Sequence, residues 1–132
     1  MDRYLKYIHW APRILCILAI LFVSLFALDA FNPDLSIGEQ ILGFLMHLIP
    51  SFVLAAFLFV GWKWPEAGGI IFLTIGILAS PWLFLHNYAM NGSVWMSLGV
   101  IAGIALPFIV VGLLFIWDHR MQKRAKAKTV VQ

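Results

Sequence analysis

Four long runs of apolar residues determine what this chain can fold into. They cover residues 10–31, 41–62, 68–85 and 94–117, and short polar segments separate them. An α-helix rises 1.5 Å per residue, so about 20 helical residues cross a hydrocarbon core of ~30 Å. The runs lack the two-residue alternation of a membrane β-barrel. They therefore predict four transmembrane helices. The third is the shortest, and it is expected either to stand nearly upright in the membrane or to extend into residues 65–67.

The composition agrees with lipid as the main solvent. Hydrophobic residues make up 63% of the 132 positions and charged residues 11%, whereas a soluble domain carries about 25% charged residues. Because the connections are short, neighbouring helices are expected to pack as an up-down antiparallel bundle. The predicted fold is an all-α integral membrane protein with one domain over residues 1–132 and a basic tail from 118 to 132.

The basic residues predict the orientation of this bundle. An even number of spans places all nine lysines and arginines on one side, and loops 32–40 and 86–93 contain none. Cytoplasmic loops collect lysine and arginine. Both termini are therefore expected in the cytoplasm, and the chain is expected to be a multi-pass protein of the inner (cytoplasmic) membrane.

The first run could be mistaken for a cleaved signal peptide, because Arg3, Lys6 and Arg13 accompany its start. It is long for the apolar region of such a peptide, and no small-x-small cleavage site precedes Asp29. We interpret it as an uncleaved signal-anchor helix.

Small residues indicate where helices could approach closely. In lipid, helices associate mainly through such faces. The third run carries Gly76 and Ser80, and the fourth carries Gly99 and Gly103. These faces are expected to meet each other or a second copy of the chain. Two prolines, Pro81 and Pro107, are expected to bend their helices because each lacks a backbone N–H.

The most unusual stretch is 44–51 in the second run, which contains His47, Pro50 and Ser51. Ionisable groups inside a membrane generally face the bundle interior and find a partner. Asp29 is the nearest candidate by depth, and Ser51 could help to satisfy the backbone around Pro50. The pair is interpreted as a structural contact or, alternatively, as a ligand, proton or metal site; a lipid-headgroup contact is the third possibility.

Two further residues, Glu39 and His86, lie on the same side and could join such a site. Histidine and carboxylate groups can coordinate zinc, and a membrane histidine can ligate haem. No HxxxH, HExxH or CxxC spacing is present. We predict no metal and no cofactor.

No catalytic motif is recognisable, and Cys16 is the only cysteine. The sequence therefore favours a non-enzymatic accessory or structural subunit of a homo-oligomer or a larger membrane complex. The alternative is a small ligand-, metal- or proton-binding membrane protein with a site around Asp29 and His47. The expected partners are the bilayer, anionic lipid at the basic tail and other membrane subunits; nucleic acid is not expected.

Two segments carry a resemblance to a known family. The first begins at Pro12-Arg13-Ile14 and runs to Leu25-Phe26-Ala27-Leu28-Asp29-Ala30-Phe31. The second is Met46-His47-Leu48-Ile49-Pro50-Ser51, followed by Trp62-Lys63-Trp64 and Gly68-Gly69. Together they resemble a family of small prokaryotic membrane proteins known only as a domain of unknown function. The resemblance covers the first three helices, departs at Pro65, and implies no activity, cofactor or catalytic residue.

Overall fold

The computed structural model describes residues 2–130, and within them all regular structure is helical. The helices are α1 (Arg3–Leu25), α2 (Ile37–Lys63), α3 (Pro65–Asn91), α4 (Val94–Val100) and α5 (Leu106–Val130). A 3-10 turn (Phe26–Ala30) extends α1, and a π-helical turn (Ile101–Ala105) joins α4 to α5. Four continuous helical segments are long and apolar enough to cross a membrane: Arg3–Ala30, Ile37–Lys63, Pro65–Asn91 and Val94–Val130.

Side-chain contacts show that sequential helices run antiparallel. Between α1 and α2, the ring of Trp10 packs on Trp62 and the ring of Phe31 on Phe44. The residue numbers rise along one helix as they fall along the other. The same order relates α3 to α5, because Gly69 approaches Gly112 while Gly76 approaches Ala105. The helices form a four-helix bundle, in which α1 packs on α2 and α5, and α3 packs on the same two helices.

The two ends of the bundle differ in charge. One end, here called the basic end, holds the start of α1, the α2–α3 connection at Trp64 and the C-terminal half of α5, where His9 meets Gln122. All nine lysines and arginines lie in these segments. The opposite end, here called the loop end, holds residues 26–36 and 91–94.

The most extensive helix contact is between α3 and α5, and glycine makes it possible. A Cβ atom on Gly112 would lie 2.6 Å from the Leu73 nitrogen and 2.7 Å from the Gly69 oxygen. A methyl group does not fit at these distances, so the two backbones touch only because this residue is glycine. Gly76, about two turns after Gly69 in α3, packs in the same way against Ile109.

The two glycines expected on the other side of this contact do not take part in it. Nothing lies within 4 Å of a Cβ built on Gly99, and the nearest atom to Gly103 belongs to Phe22 of α1 at 3.9 Å. Within one chain the expected contact is therefore not made by these residues, because it is centred further along α5, on Gly112; the alternative, contact with a second copy of the chain, stays a prediction. Ser80 uses its hydroxyl within α3, donating to the Gly76 carbonyl at 2.7 Å.

Aromatic rings fill the interior between α3 and α5. Phe72 is fully buried, and its ring centroid lies 5.9 Å from that of Phe108 and 6.2 Å from that of Phe115. Cys16 and Ala19 of α1 and Leu58 of α2 close the same core. Outside this core, many large apolar side chains of all four spans are exposed, as expected for helices in contact with lipid.

Local signals explain where the helices begin and end. Ser36 caps α2 by accepting a hydrogen bond from the Glu39 N–H while Glu39 accepts from the Ser36 N–H, which forms a capping box. Pro65 occupies the first turn of α3, and Gly92 ends that helix in the left-handed conformation at φ 65°. The π-helical turn ends two residues before Pro107, whose missing N–H leaves the Gly103 carbonyl without its helical donor.

The observed helices are longer than the apolar runs that predicted them. The third run ends at residue 85, whereas α3 continues to Asn91, and α5 continues through the basic tail to Val130. Polar residues after an apolar run can continue a helix, because most of them cost far less in a helix than proline or glycine. The basic tail is therefore an extension of the fourth span over its described residues, up to 130.

Candidate polar site at the basic end

A buried ion pair joins the first and last helices. Arg13 in α1 and Asp118 in α5 are both fully buried, and the Arg13 Nη1 lies 3.1 Å from the Asp118 Oδ2. The same Nη1 donates a hydrogen bond to the His9 carbonyl one turn earlier in α1. Removing two charges from water is costly, so such a pair persists only when the charges compensate each other. Arg13 and Asp118 do so here.

Aromatic rings cover the guanidinium on two sides. Its central carbon lies 5.7 Å from the ring centroid of Trp62 and 5.4 Å from that of Phe115. Both distances are typical of cation–π contacts. Within the described residues, the Nε and Nη2 atoms of Arg13 are buried and have no hydrogen-bond partner. The rings therefore provide most of the environment for these donors.

Two polar side chains complete the cluster. Gln122 lies one turn after Asp118, and its Nε2 is 2.7 Å from the Asp118 Oδ1 and 2.7 Å from the His9 Nδ1. The His9 Nδ1 is also 3.2 Å from the Asp118 Oδ2. A neutral imidazole nitrogen either donates or accepts. With the Gln122 amide donating to both partners, His9 accepts at Nδ1 and carries its proton on Nε2.

The cluster of Arg13, Asp118, His9 and Gln122 is a polar network in which the two charged side chains are buried and the other two side chains are partly exposed. Its evident structural effect is to fasten α1 to α5.

An open groove of about 630 Å³ adjoins this cluster. It lies where the α2–α3 connection faces the C-terminal half of α5, and His9 and Gln122 belong both to the groove and to the cluster. Across its mouth, the His119 Nε2 lies 3.3 Å from the Glu66 Oε2. The remaining polar lining is basic: Lys63, Lys123 and Lys126.

The sequence did not predict this cluster, although it contained a signal. Arg13 lies inside the first apolar run, three residues beyond Trp10, and Asp118 directly follows the fourth run. Both were counted only as charges at the ends of spans. An arginine inside one apolar run and a carboxylate at the same end of another could have been paired.

The predicted site around His47 is not brought together. His47 is exposed, and its Nδ1 donates to the Gly43 carbonyl of its own helix at 2.7 Å. Asp29 is exposed in the 3-10 turn, and no hydrogen bond in the described chain joins it to His47. The expected buried pair was therefore wrong: both side chains are exposed, although His47 lies on the same face of α2 as Gly43 and Ser51, which contact Ala30 and Ser24 of the first span.

Ser51 pairs with a different residue. It is buried, and its Oγ lies 2.9 Å from the Oγ of Ser24 in α1. Ser24 also donates to the Ile20 carbonyl at 2.8 Å. This contact ties α1 to α2 near mid-span, whereas the expected role of Ser51 was to serve the backbone around Pro50.

The other two predicted residues make local contacts at the loop end. Glu39 accepts from the Ser36 hydroxyl at 2.7 Å, and the ring of His86 stacks on Trp82 at 5.3 Å between centroids. Among residues 2–130, no three histidine, cysteine, aspartate or glutamate side chains are grouped closely enough to hold a metal ion.

Comparison with known proteins gives a family but no activity. Searches among curated proteins and among solved structures find no match to this chain. A family model described as "Domain of unknown function (DUF7670)" matches residues 1–128, which include the polar cluster at the basic end and all of the bundle except the last two residues of α5. The chain therefore belongs to this family of unknown function.

Proposed function

We propose that this protein is a non-enzymatic accessory or structural subunit of an oligomer or a larger membrane complex. The proposal depends chiefly on the exposure of His47 within α2. That helix is also the least buried of the four spans. Of its most apolar 18-residue stretch, 11% is buried, against 22–28% of the corresponding stretches in the other three spans. A face of α2 is thus available to another polypeptide.

The position of His47 supports this interpretation. It lies ten residues after Ile37, which is about 15 Å along the helix axis at 1.5 Å per residue. Because the Gly43 carbonyl can only accept, the Nδ1 of His47 carries the proton and Nε2 remains an acceptor. An ionisable group at such a depth generally faces protein or a water-filled cavity rather than lipid. A donor on a neighbouring subunit would meet this requirement.

Cross-linking tests the proposed contact directly. Cysteine is introduced in the variant His47→Cys, and the control variant Leu78→Cys places it on an exposed face of α3. After oxidation in native membranes, we expect a cross-linked product for His47→Cys and none for Leu78→Cys. Cys16 is fully buried and does not interfere.

The size of the extracted particle is the second measurement. After extraction in mild detergent, the protein should migrate as an assembly larger than one chain. A monodisperse monomer without a cross-linked product and without a bound partner would contradict the proposal.

We further propose that both termini face the cytoplasm, since all nine lysines and arginines lie at the basic end. In intact cells, a membrane-impermeant maleimide should label Asp34→Cys. It should label Lys128→Cys only after the membrane is permeabilised. The reverse pattern would show the opposite orientation.

A further inference from the structure

We propose that the groove at the basic end binds a phosphoryl group, supplied by the headgroup of an anionic lipid or by a small soluble phosphate. This inference assumes that the bundle is inserted in a membrane, but it does not depend on the proposed subunit role. The groove has about 630 Å³, which is within the range of small-molecule sites. It is formed by the α2–α3 connection on one wall and by α5 on the other.

The fixed charges of the groove favour an anion. Three lysines (Lys63, Lys123 and Lys126) and one carboxylate (Glu66) line it, which leaves a net charge of two positives with both histidines neutral. The carboxylate is engaged by His119 at 3.3 Å. Among residues 2–130, no carboxylate lies within ion-pair distance of the three lysines. Their ammonium groups are therefore available to a ligand.

The lysine of the α2–α3 wall is held in position. The Lys63 Nζ lies 4.6 Å from the ring centroid of Trp64, at a typical cation–π distance. Lys123 and Lys126 approach from α5 across the groove. Basic groups thus flank the space from both walls, which suits the several oxygens of a phosphoryl group.

The helix termini at the groove add little net charge. Helix α3 begins there with Pro65, which has no N–H, and α2 ends there at Lys63. The partial positive charge at the start of one helix therefore lies beside the partial negative charge at the end of the other. Beneath the groove the Arg13–Asp118 pair is electrically neutral, so it does not repel an anion.

The position of the groove also fits a lipid phosphate. Trp62 and Trp64 line it, and tryptophan side chains are enriched at the level of the lipid headgroups. A second, larger groove of about 1020 Å³ lies between the start of α1 and the tail, where Arg124, Lys126 and Lys128 line it together with Asp2. Lys126 lines both grooves. The second groove contains no tryptophan, and the two basic residues that it does not share, Arg124 and Lys128, provide a matched control.

The test compares two charge-removing double variants of the full chain in detergent micelles at about 0.15 M salt, where exposed charges are well screened. Lys63→Gln with Lys123→Gln removes two positive charges from the groove. Arg124→Gln with Lys128→Gln removes two from the same end of the molecule but outside it. Titration calorimetry measures binding of dihexanoyl phosphatidic acid, dihexanoyl phosphatidylcholine and inorganic phosphate. Circular dichroism confirms that each variant keeps its helices.

We expect phosphatidic acid to bind and phosphatidylcholine to bind at least tenfold more weakly. The groove variant should lose about thirtyfold in affinity, since removal of each lysine is expected to weaken binding by about fivefold. The control variant should lose no more than about threefold. Binding of inorganic phosphate with the same dependence would identify a soluble phosphate as a sufficient ligand, whereas binding of the lipid alone would identify the membrane as the source. Three results would overturn the proposal: an equal loss of affinity in the two variants, binding of phosphatidylcholine as tight as that of phosphatidic acid, or no binding of phosphatidic acid and of inorganic phosphate.

Discussion

Arg13 of α1 and Asp118 of α5 form an ion pair in which both side chains are fully buried and Nη1 lies 3.1 Å from Oδ2. The two residues are 105 positions apart in the chain. The pair fastens the first helix to the last. It is surrounded by Trp62, Phe115, His9 and Gln122, so its loss would disturb contacts from three helices.

Removal of one member of this pair is expected to be strongly destabilising. Arg13→Met or Asp118→Leu leaves an uncompensated buried charge, with an expected cost of about 3–5 kcal/mol in the free energy of unfolding. The double variant should recover much of this loss, because both charges are gone. Reversible denaturation in detergent, followed by circular dichroism, measures the three variants. A double variant as unstable as the sum of the single ones would show that the pairing contributes nothing.

The α3–α5 contact is expected to be intolerant of any side chain at Gly112. The variant Gly112→Ala should lose about 1–3 kcal/mol, since the added methyl meets the backbone of Leu73 and Gly69. The matched control is Gly99→Ala, where nothing lies within 4 Å. There we expect a change below about 1 kcal/mol, in the stabilising direction. Similar thermal shifts for the two variants would contradict the close approach of α3 and α5.

The hydrogen bond between Ser24 and Ser51 is expected to contribute modestly. Interhelical hydrogen bonds inside membranes average about 0.6 kcal/mol, and Ser51→Ala should cost about that amount. The control Ser80→Ala removes a hydroxyl that bonds only to its own helix at Gly76, so it should leave the α1–α2 contact intact. A double-mutant cycle with Ser24→Ala isolates the pairwise energy. A coupling energy of zero would show that this hydrogen bond does not stabilise the contact between α1 and α2.

Cys16 should be unreactive while the bundle is folded. The side chain is fully buried in the core formed with Ala19, Leu58 and Phe72, and a thiol reacts only when a reagent reaches it. We expect no mass increase with maleimide in mild detergent and complete labelling after denaturation. The control Tyr4→Cys places a thiol at an exposed position near the start of α1 and should react at once. Rapid labelling of native Cys16 would mean that α1 does not pack as described.

The sequence by itself determined the helical class, the number of candidate spans and the separation of charge between the two ends. The helical class and the number of spans follow from the length and periodicity of the apolar runs. The separation of charge follows from which loops contain lysine and arginine, and it does not depend on how the helices pack. The helix starts at Ser36 and Pro65 and the end at Gly92 are also readable, because capping is a local property of a few residues.

Only the tertiary structure decided which polar residues meet. His47 was the most conspicuous residue of the sequence, yet its side chain is exposed and bonds to Gly43 of its own helix rather than to Asp29. Which side chains of α2 become buried depends on packing along the whole helix, here at Gly61, Leu58 and Ser51, and a nearly uniform apolar run does not encode that packing locally. Packing of α1 against α5 likewise brings Arg13 into contact with Asp118, although the two residues are 105 positions apart in the chain. Pairing between distant helices is a property of the assembled bundle, since each charge is stabilised only when the other is already in place.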